Sequence, residues 1–333
     1  LLGRNREPFD ETIKKTHLFM KLYIIGNGFD IAHGIPSRYS DFYTYLEKKR
    51  CDVLEEMEQY YDVYESSDLW SDFERELEEN ICYDSLVEII IKNPPNFTSD
   101  GFQSTDWHDA AFEIEHKCDV LLDKIQSSFE EWIKSLELNS VMKKYEIDRT
   151  AHFFTFNYTE VLESVYKIPS ENIMHIHNKV GEELIFGHGK DIKKFNVKKA
   201  LYGYDNTHLI IDDEMDEFMD FGHEKYAEIA ICKFYDNMCK HTDEIINTHL
   251  NYFHSLSDID EIIVFGHSYN EIDYPYFKKI SESISNKATW TLYYFSDNDM
   301  LNAERLKNEI QSCNQIFIIK DVKEECDVFG KVK

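Results

Sequence analysis

The sequence is short of several things, and each shortage closes a class of protein. It has 6 prolines and 12 glycines in 333 residues, too few for a collagen-like or low-complexity chain. Its seven cysteines, at 51, 82, 118, 232, 239, 313 and 326, are odd in number and include no Cys-x-x-Cys pair. That argues against a disulfide framework or a zinc ribbon and fits free thiols in a reducing cytoplasm. No apolar run approaches the roughly 20 residues of a membrane helix, so no membrane partner is expected. The opening LLGRNREPFDETIKKTHLF is polar and charged, unlike a secretory leader. Met20 immediately precedes the first expected strand, so residues 1–19 are expected to be an extension outside the fold. Positive charge is scarce too: 36 Lys and Arg against 64 Asp and Glu leave a net charge of −28. Such a surface repels phosphate backbones, which disfavours nucleic acid as a partner; its simplest account is solvation.

What is present is a chain able to build a core, with 42% hydrophobic residues and 23 Phe and 21 Tyr. The length suits one large α/β domain or one domain with a sizeable helical insertion. KLYIIGNG, from Lys21, is a short apolar run ended by glycines, as in a buried parallel strand. A helix follows, with Tyr39, Phe42, Tyr43 and Leu46 on one face and Ser37 or Ser40 as its cap. Residues 50–148 are charge-rich and show no clear strand. DLWSDFERELEENI and DAAFEIEHKCDVLLDKIQSSFEEWIKSLE read as helices there, separated by a loop with Pro94, Pro95 and Gly101. Strand patterns resume at AHFFTFNYT, NIMHIHNKVG and LIFGHGKD. After a mostly helical stretch over 198–259 they continue at EIIVFGHSYNEID, TWTLYYFSD and NQIFIIKDV. Strands alternating with helices predict a doubly wound, mainly parallel α/β sheet. The expected division is an extension over 1–19, an α/β domain over 20–49 and 149–333, and a helical insertion or cap over 50–148.

Ligands of such sheets bind beyond the carboxyl ends of the strands, and here several strands run straight into polar residues. Gly26, Asn27, Gly28, Asp30 and His33 follow the first, Asn157 the second, and His177 the third. His188 follows LIFG, and Gly266, His267, Ser268 and Asp273 follow IIVF. No single motif carries the argument. GNGFDIAHG is not a full GxGxxG fingerprint. It reads either as a tight turn without ligand or as backbone brought close to a nucleotide. Asp30 is out of place in a phosphate cradle; a ribose-hydroxyl acceptor, a helix cap, or a metal or acid/base group suits it better. Asn157 is either a turn residue bonded to its own backbone or an amide that orients a hydroxyl or water. His175 and His177 share one face of a strand, but no third metal ligand stands at a telling spacing, so a proton shuttle is favoured over a metal. His188 in FGHGK and His267 in FGHS repeat one local form and are either ligand contacts or structural strand-end histidines. Ser268 lacks the flanking glycines of a nucleophile elbow.

Five segments, IIGNGFDIAHGIPSRYSDF, LWSDFERELEENI, FFTFNYTEVLE, HIHNKVGEELIFGHGKD and VFGHSYNEIDYPYF, occur in this order over about Met20 to Ile280. Together they resemble the AbiH family of bacterial abortive-infection proteins. The motif order also looks like a diverged sirtuin-type NAD-binding fold, as in phage-defence NAD hydrolases. That resemblance implies NAD as substrate, no metal, a glycine turn at Gly26 and Gly28, a catalytic Asn at Asn157, a catalytic His at His177, and a ribose-lining element at Gly266 and Ser268. The chain departs from the pattern at Asp30, where a small polar residue is usual, and at Asn178, where a glycine follows the histidine. It also lacks the zinc-binding cysteine pairs, which argues against deacetylation.

The expectation is therefore cleavage of the nicotinamide–ribose bond. Asn157 would hold water or a ribose hydroxyl, His177 would act as a base of near-neutral pKa, and Asp30 would accept from a hydroxyl or stabilise positive charge. Because an unregulated NAD hydrolase would kill its host, a silent resting state is expected, with a homo-oligomer and a phage-encoded trigger as candidate controls. Two other readings stay open: a metal-dependent nuclease or phosphohydrolase using Asp30, His33, His175 and His177, and a non-catalytic nucleotide sensor.

Overall fold

The structure, a computed structural model, describes residues 20–61, 74, 77, 83–94, 101, 103–202, 222–311 and 314–323. Its centre is a six-stranded, all-parallel sheet: β1 (Met20–Ile25), β2 (His152–Thr155), β3 (Ile173–His175), β4 (Ile259–Phe265), β5 (Thr289–Tyr294) and β6 (Ile316–Asp321), in the order β3-β2-β1-β4-β5-β6. The strands are apolar at consecutive positions because both faces of the sheet are covered. Leu22 and Ile24 of β1 join Phe154, Ile262, Val264, Trp290 and Leu292 in one core. Tyr23 and Ile25 join Phe153, Ile263, Phe265 and Tyr293 in a second core on the opposite face. The fold is the expected doubly wound α/β sheet, and its order reverses between β1 and β4. That reversal opens a crevice at the strands' carboxyl ends.

The chain between β1 and β2 contributes the helices Tyr39–Lys49, Cys51–Tyr60, Asp84–Lys92 and Asp109–Ser135. Phe42, Leu46, Met57, Leu86, Ile125, Phe129 and Trp132 form a third core there. Phe234 and Tyr235, of the helix Gly222–Asn237, complete it. The helix at Tyr39 is started by neither expected serine. The Asp41 carboxylate accepts the Arg38 N–H at 2.9 Å, while the Ser37 hydroxyl donates to Asn27 Oδ1 at 2.6 Å. Of the helix expected at DLWSDFERELEENI, only Glu74 and Leu77 are described; Trp70 and Phe73, like residues 1–19, lie outside the described residues.

One expected strand is not a strand. LIFGHGKD forms only an isolated bridge, His188 with Cys239. Its main chain is committed to another partner: the His188 N–H donates to Met238 O at 3.0 Å and the Lys240 N–H to His188 O at 2.7 Å. The apolar run that suggested a strand supplies Leu184 and Phe186 to the helical core instead. Among the described residues, no helix is long and apolar enough to cross a membrane.

Candidate active site

The turns after β1 and β4 meet at the crevice, backbone against backbone. The Gly28 N–H donates to Gly266 O at 2.7 Å and the Gly26 N–H to Phe265 O at 3.0 Å. A Cβ on Gly26 would lie 2.6 Å from Gly266 O, and one on Gly266, which has φ +72°, would lie 2.4 Å from Phe29 N. These glycines therefore serve the junction of two turns, and the amides of Gly26 and Gly28 are already used. The helix that follows, Gly28–Ala32, is only five residues long and carries Asp30 in its first turn. Of the two readings of GNGFD, the tight turn accounts for the Gly26 and Gly28 amides, and Asp30 sits in the first turn of the helix that follows.

The crevice opens into a cleft of about 1270 Å³. It is lined by ten of the twelve residues expected to form the pocket: Gly26, Asn27, Gly28, Asp30, Asn157, His177, Gly266, His267, Ser268 and Asp273. Several polar atoms of their floor are buried without hydrogen-bond partners. Asp30 is 1% exposed; its Oδ2 accepts from the Thr159 hydroxyl at 2.6 Å, and its Oδ1 has no partner. Burial pushes the Asp30 carboxyl up to about 6, against the lowering pull of Thr159 and Asn157. Asn157 Oδ1 is likewise buried without a partner, so the turn-residue account of Asn157, a side chain bonded to its own backbone, finds no bond at this oxygen. His177 Nε2 is the third such atom, and Asp273 Oδ1 is a fourth. Phe156, Tyr158 and Tyr276 surround the His177 ring at 5.4–6.4 Å. Burial, then the Lys240 ammonium, drives the His177 imidazole well below its ordinary value. The expected near-neutral base is instead held uncharged; Asp30 has the near-neutral pKa.

Asn178, the apparent departure after His177, has φ 62° and so adopts the conformation a glycine would take there. Asparagine is among the few residues that enter this region readily. Tyr269, at φ 57°, is a bulkier exception. Its strained backbone N–H donates to His267 Nδ1 at 2.8 Å, which leaves His267 Nε2–H to donate to Asp273 Oδ2 at 3.1 Å. Burial opposes ionisation of Asp273, but Lys240 and His267 outweigh it and hold the carboxyl below the usual range.

Two expected pocket residues lie off the cleft. His33 packs on Phe29, donates from Nδ1 to Phe29 O at 2.7 Å and accepts the Tyr166 hydroxyl at Nε2, 2.8 Å away. His188 is fully buried; its Nε2–H donates to Tyr235 O at 2.9 Å. His175 is not a cleft residue either: its Nδ1 lies 3.0 Å from Asn157 O and its Nε2 3.0 Å from Glu163 Oε1, so its ring braces the Asn157 main chain. The four residues of the metal reading are thus engaged separately. Among the described residues no group of three His, Cys, Asp or Glu is placed to hold a metal ion.

The structure adds residues that sequence reasoning missed. Thr159, two positions beyond Asn157, is the hydroxyl on Asp30; a small hydroxyl residue at that spacing was its only signal. Lys240 and Glu74 form a buried ion pair of 2.7 Å beside Asp273, and no motif marks either. An aromatic wall of Tyr39, Tyr43, Phe129 and Trp132 faces the polar floor and comes from helices whose periodicity read only as core.

The model of the family described as "Bacteriophage abortive infection AbiH" matches residues 22–294. No curated protein and no solved structure matches the chain. The match spans most of the cleft lining and five of the six strands, and the chain belongs to the AbiH family of bacteriophage abortive infection proteins.

Proposed function

We propose that the chain is an anti-phage abortive-infection effector that cleaves the nicotinamide–ribose bond of NAD in this cleft. One observation carries the reading: Asp30 Oδ1, Asn157 Oδ1 and His177 Nε2, brought in by the ends of β1, β2 and β3, are all buried without partners on one cleft. A buried polar atom without a partner costs about 1–3 kcal/mol, so three around one cleft fit a ligand that supplies the missing bonds. The AbiH match supports the defence role and leaves the chemistry to the site.

The reaction asks little of a nucleophile. As the C–N bond breaks, its electron pair goes to the nicotinamide nitrogen, neutralising the ring, and positive charge develops on the ribose. An ionised Asp30, anchored by Thr159, stabilises that charge in a water-poor site. Water then attacks the ribose carbon and gives up a proton. Asp30, near pKa 6, is better matched to receive it at neutral pH than His177. The uncharged His177 and the Asn157 amide orient the water and the ribose hydroxyls. The aromatic wall offers a surface for a planar ring.

The test is nicotinamide release by purified protein, with and without extract of phage-infected cells. Asp30→Asn, Asn157→Ala and His177→Ala should each lower the rate by roughly 10²–10⁴. Infected cells that arrest with their NAD intact would defeat the reading. Variants that still bind nucleotide and still protect would turn it toward a sensor.

A further inference from the structure

A charge cluster that the reaction described above does not use reaches the cleft through Glu74 and Asp273, with Lys240 buried between them. Lys240 Nζ is 1% exposed, 2.7 Å from Glu74 Oε1 and 3.9 Å from Asp273 Oδ1, close enough for ion pairing but without the alignment of a hydrogen bond to either. Three separate stretches of chain supply it. Glu74 comes from between β1 and β2, Lys240 from beyond the helix Gly222–Asn237, and Asp273 from the turn after β4. The backbone places Lys240 as well, since its N–H donates to His188 O at 2.7 Å. Asp273 in turn holds His267 Nε2, while its own Oδ1 is buried without a hydrogen bond.

A buried ammonium is expensive unless paired, and here it stands between two carboxylates of different duty. Glu74 takes the close contact. Asp273, farther off, receives the remainder of the field and passes order to His267. We propose that Lys240 is a positioning residue of this cleft, and that Glu74, from the chain between β1 and β2, sets how much of its charge reaches Asp273 and His177. Through Glu74 the chain between the first two strands gains an electrostatic hold on the site. The inference rests on the cleft being the reaction site.

The charges that act on His177 are Lys240 and Asp273, with the His267 ring across Phe156 and the rings of Phe156, Tyr158 and Tyr276 around the imidazole. Removing a cation makes an imidazole easier to protonate; removing that cation's counter-charge makes it harder. Lys240→Met should therefore raise the proton affinity of His177 about tenfold, Glu74→Gln should lower it, and Lys240→Arg should restore the wild-type value.

The measurement is the titration of the His177 imidazole by NMR in the full-length protein, assigned with His177→Asn. It needs no turnover, so its failure is separable from failure of the NAD reading. Should Lys240→Met not fold, the opposite sign in Glu74→Gln and the double variant Glu74→Gln/Lys240→Met still decide. Opposite shifts in the single variants, or a lowered His177 in Glu74→Gln with near wild-type behaviour in the double, support the inference. Unchanged titration in Glu74→Gln, or shifts of one sign in both, overturns it and leaves Lys240 a structural ion pair.

Discussion

Phe186-Gly187-His188-Gly189 and Phe265-Gly266-His267-Ser268 are nearly the same local sequence, and they do different things. Both use a glycine at positive φ to lay backbone against backbone. A Cβ on Gly187 would fall 2.1 Å from Met238 O, and one on Gly266 2.4 Å from Phe29 N. At Gly266 the partner is the turn after β1, and His267 emerges at the cleft. At Gly187 the partner is the strap around Met238 and Lys240, and His188 is sealed against Tyr235 with ring centroids 4.2 Å apart. A local motif fixes a backbone device; its place in the sheet order decides whether the side chain meets a ligand. The second copy is still not idle, because its main chain sets where Lys240 stands.

The largest effect expected from breaking this comparison is at the glycines. Gly266→Ala and Gly187→Ala combine left-handed strain with backbone clash and should each destabilise by about 3 kcal/mol or more, read from denaturant unfolding. Ligand binding by the folded fraction should fall with Gly266→Ala and survive Gly187→Ala better, because only the first opens the junction of the two turns. Equal loss of binding in both would erase the distinction.

Asp30, beside that junction, is expected to show the next largest effect. Its folded pKa, about 6, lies above the ordinary 3.8. The folded state therefore holds this proton more tightly, and its contribution is lost as pH rises from about 4 through about 6, then stays constant. Asp30→Asn removes this penalty and keeps an acceptor for Thr159. It should be more stable than wild type by about 2–3 kcal/mol at pH 7 and should differ little at pH 4, while losing activity. A variant less stable at pH 7 would make Asp30 a structural residue.

The smallest effect separates the two histidines directly. His188→Asn should cost about 1–2 kcal/mol through its buried hydrogen bonds and leave turnover per folded molecule intact. His267→Asn should cost a similar amount, through its own buried bonds to the Tyr269 amide and Asp273, and should also lower turnover per folded molecule. Matching profiles would mean that both copies are structural.

Much of the fold was legible. Six of the seven expected strands form, because runs such as IIVF and LYII are apolar at consecutive positions, as burial on both faces demands. LIFGHGKD misled for the same reason: its apolar residues are buried, but in a helical core, and burial alone does not say against what. Ten pocket residues were found because strand ends in a parallel sheet converge. His33 and His188 were not separable from them by local pattern, since each sits within a few residues of a glycine turn and turns away only through contacts with Tyr166 and Tyr235. Lys240 and Glu74 gave no signal at all, being more than 160 residues apart and ordinary in their neighbourhoods.

The sequence by itself determined the parallel α/β class, the family and the residue types waiting at the strand ends, because hydrophobic periodicity and glycine placement are local properties. Only the tertiary structure decided how those residues behave. The Gly28 amide is spent on Gly266, Asp30 rather than His177 acquires the near-neutral carboxyl or imidazole, and a distant lysine charges the floor. Hydrogen-bond partners and electric fields act through space, and the separation of residues along the chain does not encode them.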